Sequence, residues 1–338
     1  MRKVNLTGLV LFTICSLTAS IQSSAQQPQN KNQCHEPQLV EFDAPGAATV
    51  SSPVCAPFCG TVAYDNNDLG AIVGFYTDSE IVPHGFLRTP DGNFVSFDAP
   101  GAGLGAGLNE GTVAYAINDL GVIAGQFQDS SYVYHGFVRH WDGHFTTFDA
   151  PGAGTGAGQC TWAWDINVFG TTAGTYVDAS NVYHGFVRSP QGVFATFDPT
   201  GSILTYVCEE TCLTPDGTMA GDFFDSSIVS HGFVRHPNGT FTTFDDPEAG
   251  AGTAHPPQGT YPFSINFGGA TTGQYFDASY NAHGFERFSD GQFVNFDAPD
   301  AAPGSAAGTR PSTNNAEGQV AGWYIDAGGL NHGFLWIP

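Results

Sequence analysis

The chain has 338 residues and carries nine Lys and Arg against 32 Asp and Glu, a formal net charge of −23 at pH 7. A surface this acidic repels phosphate backbones and anionic lipids, which argues against nucleic-acid binding and adhesion to anionic membranes. The 44 Gly, 21 Pro and 28 Phe, with only two Met, indicate an all-β protein with many tight turns.

The first 25 residues are typical of a secretory signal peptide. Arg2 and Lys3 are followed by an apolar stretch from Val4 to Ala19, and Ser23-Ser24-Ala25 supplies the small residues of a cleavage site. We predict cleavage after Ala25, a linker over 26–38, and a repeat domain over 39–338. The mature protein is then secreted or periplasmic, with no membrane span after cleavage.

The cysteines that remain after cleavage are even in number, which suggests disulfides in an exported chain. Two pairs share a C-x-x-x-C spacing that predicts short local disulfides: Cys55 with Cys59, and Cys208 with Cys212. Cys34 and Cys160 would pair by elimination. Zinc binding is disfavoured, because C-x-x-x-C is not the C-x-x-C knuckle of a zinc site.

One repeat dominates the chain after residue 38. The triplet His-Gly-Phe occurs six times, an Asp lies six residues before each His, and each of the first five copies then ends in Phe-Asp. Arg follows the His by four residues in five copies. The Asp–His pairs are Asp78 and His84, Asp129 and His135, Asp178 and His184, Asp225 and His231, Asp277 and His283, and Asp326 and His332.

Each copy is predicted to form a four-stranded antiparallel sheet with strands A to D. In the second copy these strands are 112–118, 122–128, 135–140 and 144–149, joined by turns that include Asp142-Gly143. One such sheet per 40 to 50 residues is the signature of a β-propeller blade, so six copies predict a six-bladed propeller.

The two ends of the chain predict that the ring closes. The last copy stops after strand C, and the missing strand D is found at the start of the domain, where 39–46 matches 95–101 almost residue for residue. An N-terminal strand that completes the last blade would remove the exposed edges. We expect a monomer.

The six Asp–His pairs are predicted to be structural. A carboxylate that orients an imidazole is found in catalytic triads and metal sites, but an enzyme needs one active site and not six. We therefore interpret each pair as a clamp across the B–C hairpin. The repeated Arg, on the same strand face as the His, is predicted to pair with Phe-Asp carboxylates or carbonyls between blades. No metal and no cofactor is expected, since no acidic cluster has the spacing of a calcium loop.

Function is expected where the copies differ, in the uneven D-to-A connections: 44–58, 99–111, 150–160, 199–205, 246–260 and 298–310. By strand alternation these share one face with the B–C loops. The candidate binding residues are Glu110, Trp162, Trp164, Glu209, Glu210 and His255. Tryptophans near a rim suit sugar stacking, and carboxylates suit glycoside chemistry. The alternative is that both Trp are core residues of strand A.

The stretch 117–125, Ile-Asn-Asp-Leu-Gly-Val-Ile-Ala-Gly, followed by His135-Gly136-Phe137, resembles the HAF family of bacterial extracellular repeats. That family is named for His-Ala-Phe, whereas all six copies here have glycine. The resemblance implies export and a repeat architecture, and it supplies no catalytic residue or cofactor. The fourth copy departs most, with Thr214-Pro215-Asp216 where others begin with Asn.

Two functions are compatible with these features. The first is a non-enzymatic module that binds a glycan or a protein through its uneven loop face. The second is an extracellular polysaccharide-degrading hydrolase or lyase with a site at the channel mouth. Two carboxylates outside the repeat that converge at this mouth would favour the enzyme.

Overall fold

The computed structural model describes residues 40–49, 59–105, 110–207, 211–253, 256–305 and 307–338. The chain divides into two compact units, 1–42 and Asp43–Pro338. The predicted signal peptide and linker lie outside the described residues. Within them, all regular secondary structure is β-strand, and no helix there is long and apolar enough to cross a membrane.

Asp43–Pro338 contains six successive antiparallel units, which we number I to VI. Unit I comprises β1 (Thr61–Asn66), β2 (Ile72–Thr77), β3 (Pro83–Arg88) and β4 (Phe94–Phe97). Unit II comprises β5 (Gly111–Ile117), β6 (Ile123–Gln128), β7 (Tyr134–Arg139) and β8 (Phe145–Phe148). Unit III comprises β9 (Thr161–Ile166), β10 (Thr172–Val177), β11 (Tyr183–Arg188) and β12 (Phe194–Phe197).

The second half follows the same order. Unit IV comprises β13 (Leu204–Val207), β14 (Met219–Phe224), β15 (Ser230–Arg235) and β16 (Phe241–Phe244). Unit V comprises β17 (Gly259–Ile265), β18 (Thr271–Phe276), β19 (Ala282–Arg287) and β20 (Phe293–Phe296). Unit VI comprises β21 (Gly308–Asn314), β22 (Val320–Ile325) and β23 (Asn331–Trp336).

Within each unit, neighbouring strands pair antiparallel in sequence order. Units I, II and III are separate four-stranded sheets, whereas a single parallel bridge between Ser230 and Gly259 joins units IV and V. The predicted all-β fold of four-stranded antiparallel sheets is confirmed. In unit II every predicted strand boundary agrees with β5 to β8 to within one residue.

Unit VI has three strands, and β23 is its edge among the described residues. Residues 40–49 contain no strand, so the predicted closing strand over 39–46 is not confirmed by the described residues and stays a prediction. Ala44 nevertheless donates its N–H to Thr61 Oγ1 at 2.9 Å, and Ala99 does the same to Thr112 at 2.9 Å where unit I leads into unit II. The chain therefore enters unit I in the same way as it enters unit II.

The phenylalanine of the triplet lies at the centre of each of the first five units and is fully buried there: Phe86, Phe137, Phe186, Phe233 and Phe285. The glycine before it is required by close packing. A Cβ at Gly136 would collide with the ring of Phe148, the phenylalanine of Phe-Asp on the adjacent strand. This contact explains why the triplet has glycine at its second position.

Asparagines at the end of strand A link the first three units. Asn118 Oδ1 accepts the N–H groups of Leu120 and Val122 at 3.0 Å, which closes the A–B turn. Its Nδ2 donates to the carbonyl of Asn167 at 2.9 Å, and Asn67 donates to the carbonyl of Asn118 at 3.1 Å. The ends of strand A in units I, II and III are thereby held side by side.

The cysteines agree only partly with the sequence prediction. Cys160 is a free, fully buried thiol, so its predicted pairing with Cys34 is wrong. Cys59 and Cys212 are disulfide-bonded. Because Cys55 and Cys208 lie outside the described residues, the two local pairings remain predictions.

Candidate functional site

A cavity of about 270 Å³ lies where the A strands of units I to III end. Three aromatic side chains line it in a continuous row, one from each unit: Tyr64, Tyr115 and Trp164. The ring centres of Tyr64 and Tyr115 are 5.0 Å apart, and those of Tyr115 and Trp164 are 4.8 Å apart. We call this site the aromatic cavity.

The row exists because each ring occupies an irregular position of its strand. The pairing of β1 with β2 skips Tyr64, since Ala63 and Asp65 face adjacent residues of β2. The pairing of β5 with β6 skips Tyr115 in the same way, and that of β9 with β10 skips Trp164. A bulge turns the extra side chain away from the sheet, and here it presents an aromatic ring to the cavity.

Two carboxylates at the next strand position connect neighbouring units. Asp65 Oδ2 accepts the N–H of Ile117 in unit II at 2.8 Å. Asp165 Oδ2 accepts the N–H groups of Cys212 and Leu213 at 2.8 Å. The position is not acidic throughout the repeat, because unit II has Ala116 there.

Burial raises the pKa of Asp65 above its usual range. Burial raises the pKa of Asp165 to about 6, and the negative charge of Asp65 is the second cause. The backbone hydrogen bonds that Asp165 accepts lower this pKa but do not outweigh burial. The charge of Asp65 therefore acts on Asp165 across the cavity, and burial shifts each carboxylate toward its protonated form relative to an exposed aspartate.

Further acidic groups lie at the mouth of the cavity. Asp68 and Asp119 line it and are exposed, and Asp119 Oδ1 accepts the N–H of Asp68 at 3.0 Å. No Lys, Arg or His is among the described residues that line the cavity. Its electrostatic potential is therefore negative.

Polar groups behind the rings lack partners. Gln126 is 8% exposed and donates its Nε2 to Tyr115 Oη at 3.0 Å, while its Oε1 has no hydrogen-bond partner among the described residues. Trp162 lies beside Trp164, with ring centres 5.5 Å apart, and its buried Nε1 is likewise unpaired there. A buried polar atom without a partner is costly unless water or a ligand supplies one.

The candidate residues from the sequence separate into three groups. Trp164 lines the aromatic cavity, and Trp162 is half-buried next to it in β9. Glu110 is buried, and its Oε2 accepts the N–H of Gly105 at 3.0 Å, so it holds the connection between units I and II. Glu209, Glu210 and His255 lie outside the described residues.

The cavity lies at the A–B turn end of strand A, whereas the uneven connections lie at the other end. Sequence reasoning missed Tyr64, Tyr115, Asp65 and Asp165. A usable signal existed, because an aromatic residue stands one position after Ala63, Ala114 and Ala163 in three successive copies.

The repeated histidines bind two aspartates each in most units. His84 Nδ1 lies 2.8 Å from Asp98, the aspartate of Phe-Asp, and its Nε2 lies 3.4 Å from Asp78. Asp78 Oδ1 also accepts the N–H groups of Glu80 and Val82 at 2.9 Å, which closes the B–C turn. The imidazole thus joins strands B, C and D. Its shorter contact is to Asp98, whereas the sequence analysis predicted a pair with Asp78 alone.

The same geometry recurs with Nδ1 contacts of 2.7 to 2.8 Å: His135 with Asp149, His184 with Asp198, His231 with Asp245, and His283 with Asp297. The hydrogen bond that Asp98 accepts from His84 raises the pKa of that histidine, and Asp149 and Asp297 raise the pKa values of His135 and His283 in the same way. Among the described residues, no group of three or more acidic, His or Cys side chains is arranged to hold a metal ion.

No protein-family model and no curated protein matches the chain. Solved structures do. A streptogramin B lyase is 13% identical, with 80% of this chain and 82% of that chain covered and a TM-score of 0.49. The six-bladed β-propeller lectin of Aleuria aurantia is 11% identical (81% and 90% covered, TM-score 0.44). AofleA from Arthrobotrys oligospora is 9% identical (81% and 81%, TM-score 0.45).

Proposed function

We propose that this protein is a non-enzymatic binding module that takes a glycan in the aromatic cavity. The observation that carries the proposal is the row of Tyr64, Tyr115 and Trp164, whose rings are in contact along one wall. Sugar rings present apolar C–H faces to aromatic side chains, and their hydroxyls need the carboxylate and amide groups that also line this cavity.

The architecture that we propose is a six-bladed β-propeller closed by residues 39–46, exported through the N-terminal signal peptide and monomeric. The sequence match of 39–46 to strand D supports closure, as does the edge position of β23. The combined motif supports membership of the HAF repeats. The acidity of the chain is consistent with a soluble protein outside the cytoplasm.

The direct test is a glycan panel measured with the mature protein and with Trp164→Ala. We expect binding by the parent protein and at least a tenfold weaker affinity for the variant. Trp141→Ala is the matched control, since Trp141 is 77% exposed and does not line the cavity. Tyr64→Ala, at a ring that is already 41% exposed, separates loss of stacking from loss of folding. Binding that Trp164→Ala and Tyr64→Ala leave unchanged would exclude the cavity as the site.

The alternative is a polysaccharide-degrading hydrolase or lyase, and one observation favours it. Asp65 and Asp165 lie outside the common repeat pattern, and their raised pKa values are a property of catalytic acids. Against it, both carboxylates already accept backbone N–H groups of the next unit. Release of shorter saccharides from a bound ligand, lost in Asp65→Asn or Asp165→Asn with binding intact, would establish the enzyme.

A further inference from the structure

We infer that the ligand of the aromatic cavity carries a protonated amino group, and that it is an amino sugar whose nitrogen is not acetylated. This inference rests on the proposed glycan site and names its ligand class. It follows from two properties of the cavity that a neutral sugar would not use together: an unbalanced negative charge and a row of three aromatic rings in the lining.

No described Lys, Arg or His lines the cavity to balance its negative charge. Asp65, Asp68, Asp119 and Asp165 line the cavity. Four of the five repeat arginines are buried against phenylalanine rings between units: Arg139, Arg188, Arg235 and Arg287. Arg88 and Arg310 do not line the cavity either. The only two lysines, Lys3 and Lys31, lie outside the described residues. An incoming positive charge would therefore be attracted without competition.

The aromatic wall favours the same kind of ligand. An ammonium group within about 6 Å of an aromatic ring centre is stabilised by the electron-rich face, and Trp is the best such partner. Tyr115 and Trp164 line the same cavity as Asp65 and Asp165. A positive charge there would also offset the repulsion between the two carboxylates.

A metal ion fits this cavity less well. The Oδ2 atoms of Asp65 and Asp165 are engaged by backbone N–H groups, so they are poorly placed to coordinate an ion directly. An ammonium group needs no coordination shell, because ring faces and nearby charge are sufficient.

The test compares glucosamine oligomers with N-acetylglucosamine oligomers of equal length, titrated into the mature protein by calorimetry. The two series share a backbone and differ in the charge of the nitrogen. We expect the amino form to bind at least tenfold more tightly, and we expect its affinity to fall as salt is raised from 50 to 500 mM.

A double variant and a control test whether the preference for the amino form arises at the cavity. Asp68→Asn with Asp119→Asn removes two exposed charges at the cavity mouth and keeps an acceptor oxygen at each position, so folding is preserved. We expect this double variant to reduce the preference for the amino form several-fold. Asp300→Asn, an exposed charge that does not line the cavity, is expected to leave it unchanged.

The outcomes distinguish the inference from the proposed function. Equal binding of both series, or a preference for the acetylated form, overturns the amino-sugar inference while Trp164→Ala still tests the site. A preference that persists unchanged in the Asp68 and Asp119 double variant also overturns it. If no saccharide of either series or of the wider panel binds, the proposed function itself fails.

Discussion

The guanidinium of Arg188 lies over the ring of Phe148, 4.5 Å from its centre, and so joins unit III to unit II. Arg139 over Phe97 and Arg287 over Phe244 repeat the arrangement at 4.8 and 4.6 Å. The sequence interpretation paired these arginines with the Phe-Asp carboxylates or with carbonyls. The carboxylate pairing is wrong, because the histidine takes the carboxylate and the arginine takes the phenylalanine of the same dipeptide.

Arg188→Lys is therefore expected to lower the free energy of unfolding by about 1 kcal/mol, because lysine keeps the charge and loses the flat stack on Phe148. Denaturant unfolding measures the change. Phe148→Leu supplies a double-mutant cycle, and the two substitutions should couple. Strictly additive effects would show that the stack contributes no stability.

In five units the B–C turn contains a residue other than glycine with a left-handed backbone conformation. Ile228 has a φ of 60° and is 48% exposed, and a β-branched residue in this region is strained by about 1 to 2 kcal/mol. Ile228→Asn is expected to raise the free energy of unfolding by about 1 kcal/mol, because Asn tolerates this conformation. Ile228→Val keeps the strain and should change little. A loss of stability in the Asn variant would contradict the explanation.

How much the sequence could predict differs between fold and site. Strand order and boundaries were predictable because Asp-Gly and Asn-Gly turns and the repeated triplet recur at fixed spacing. The aromatic cavity was not predicted, because it depends on a one-residue bulge that turns Tyr64, Tyr115 and Trp164 out of their sheets. The alternation of apolar and polar residues along a strand does not predict where such a bulge occurs. The partner of His84 was missed because Asp98 is fourteen residues away and reaches it only through strand D.

The histidines predict how stability depends on pH. In His84, His135 and His283 the folded-state pKa is raised above 6.5, chiefly by a hydrogen-bonded aspartate. Their stabilisation is fully present below pH 6.5 and is lost as pH rises through the folded pKa. The pKa of Asp165, raised to about 6 from 3.8 by burial, acts in the same direction between pH 4 and 6.

The free energy of unfolding should therefore be greater at pH 5 than at pH 8. Chemical denaturation across this range measures it. Replacing His84, His135 and His283 by Gln should flatten the curve above pH 6.5 and leave the part near pH 5 that Asp165 controls. Stability that rises from pH 6.5 to 8 would contradict this assignment.

Glu286 is a buried carboxylate in unit V at a position where the other four-stranded units have Leu or Val. Neither oxygen has a hydrogen-bond partner of standard geometry among the described residues, because the Asn314 amide bonds Ala270 and Ser264 instead. Burial raises the pKa of Glu286, and the nearby Asn314 lowers it by less. Glu286→Val is expected to raise the free energy of unfolding by about 1 to 3 kcal/mol, since an unsatisfied buried polar group is removed. Val234→Ala, at the matching position of unit IV, should lower it. A less stable valine variant would indicate a partner that stabilises the carboxylate.

Closure of the repeat can be tested through the one histidine that lacks a Phe-Asp partner among the described residues. The side chain of His332 is 43% exposed and lies 3.2 Å from Asp326, whereas the other five repeat histidines are 17 to 24% exposed. Unit VI has no strand D of its own, and Phe42-Asp43 matches Phe97-Asp98 in sequence. A closing strand over 39–46 would bring Asp43 to His332 Nδ1, as Asp98 is brought to His84.

Asp43→Ala and His332→Ala are therefore expected to couple by about 1 kcal/mol in a double-mutant cycle of unfolding free energies. The reference cycle is Asp98→Ala with His84→Ala, whose side chains are in contact at 2.8 Å, and the two coupling energies should be similar. Asp43→Ala with His283→Ala is the control, because His283 already holds Asp297, and that pair should be additive. Additivity in the Asp43–His332 cycle, with coupling retained in the reference, would mean that the N-terminal segment does not complete unit VI.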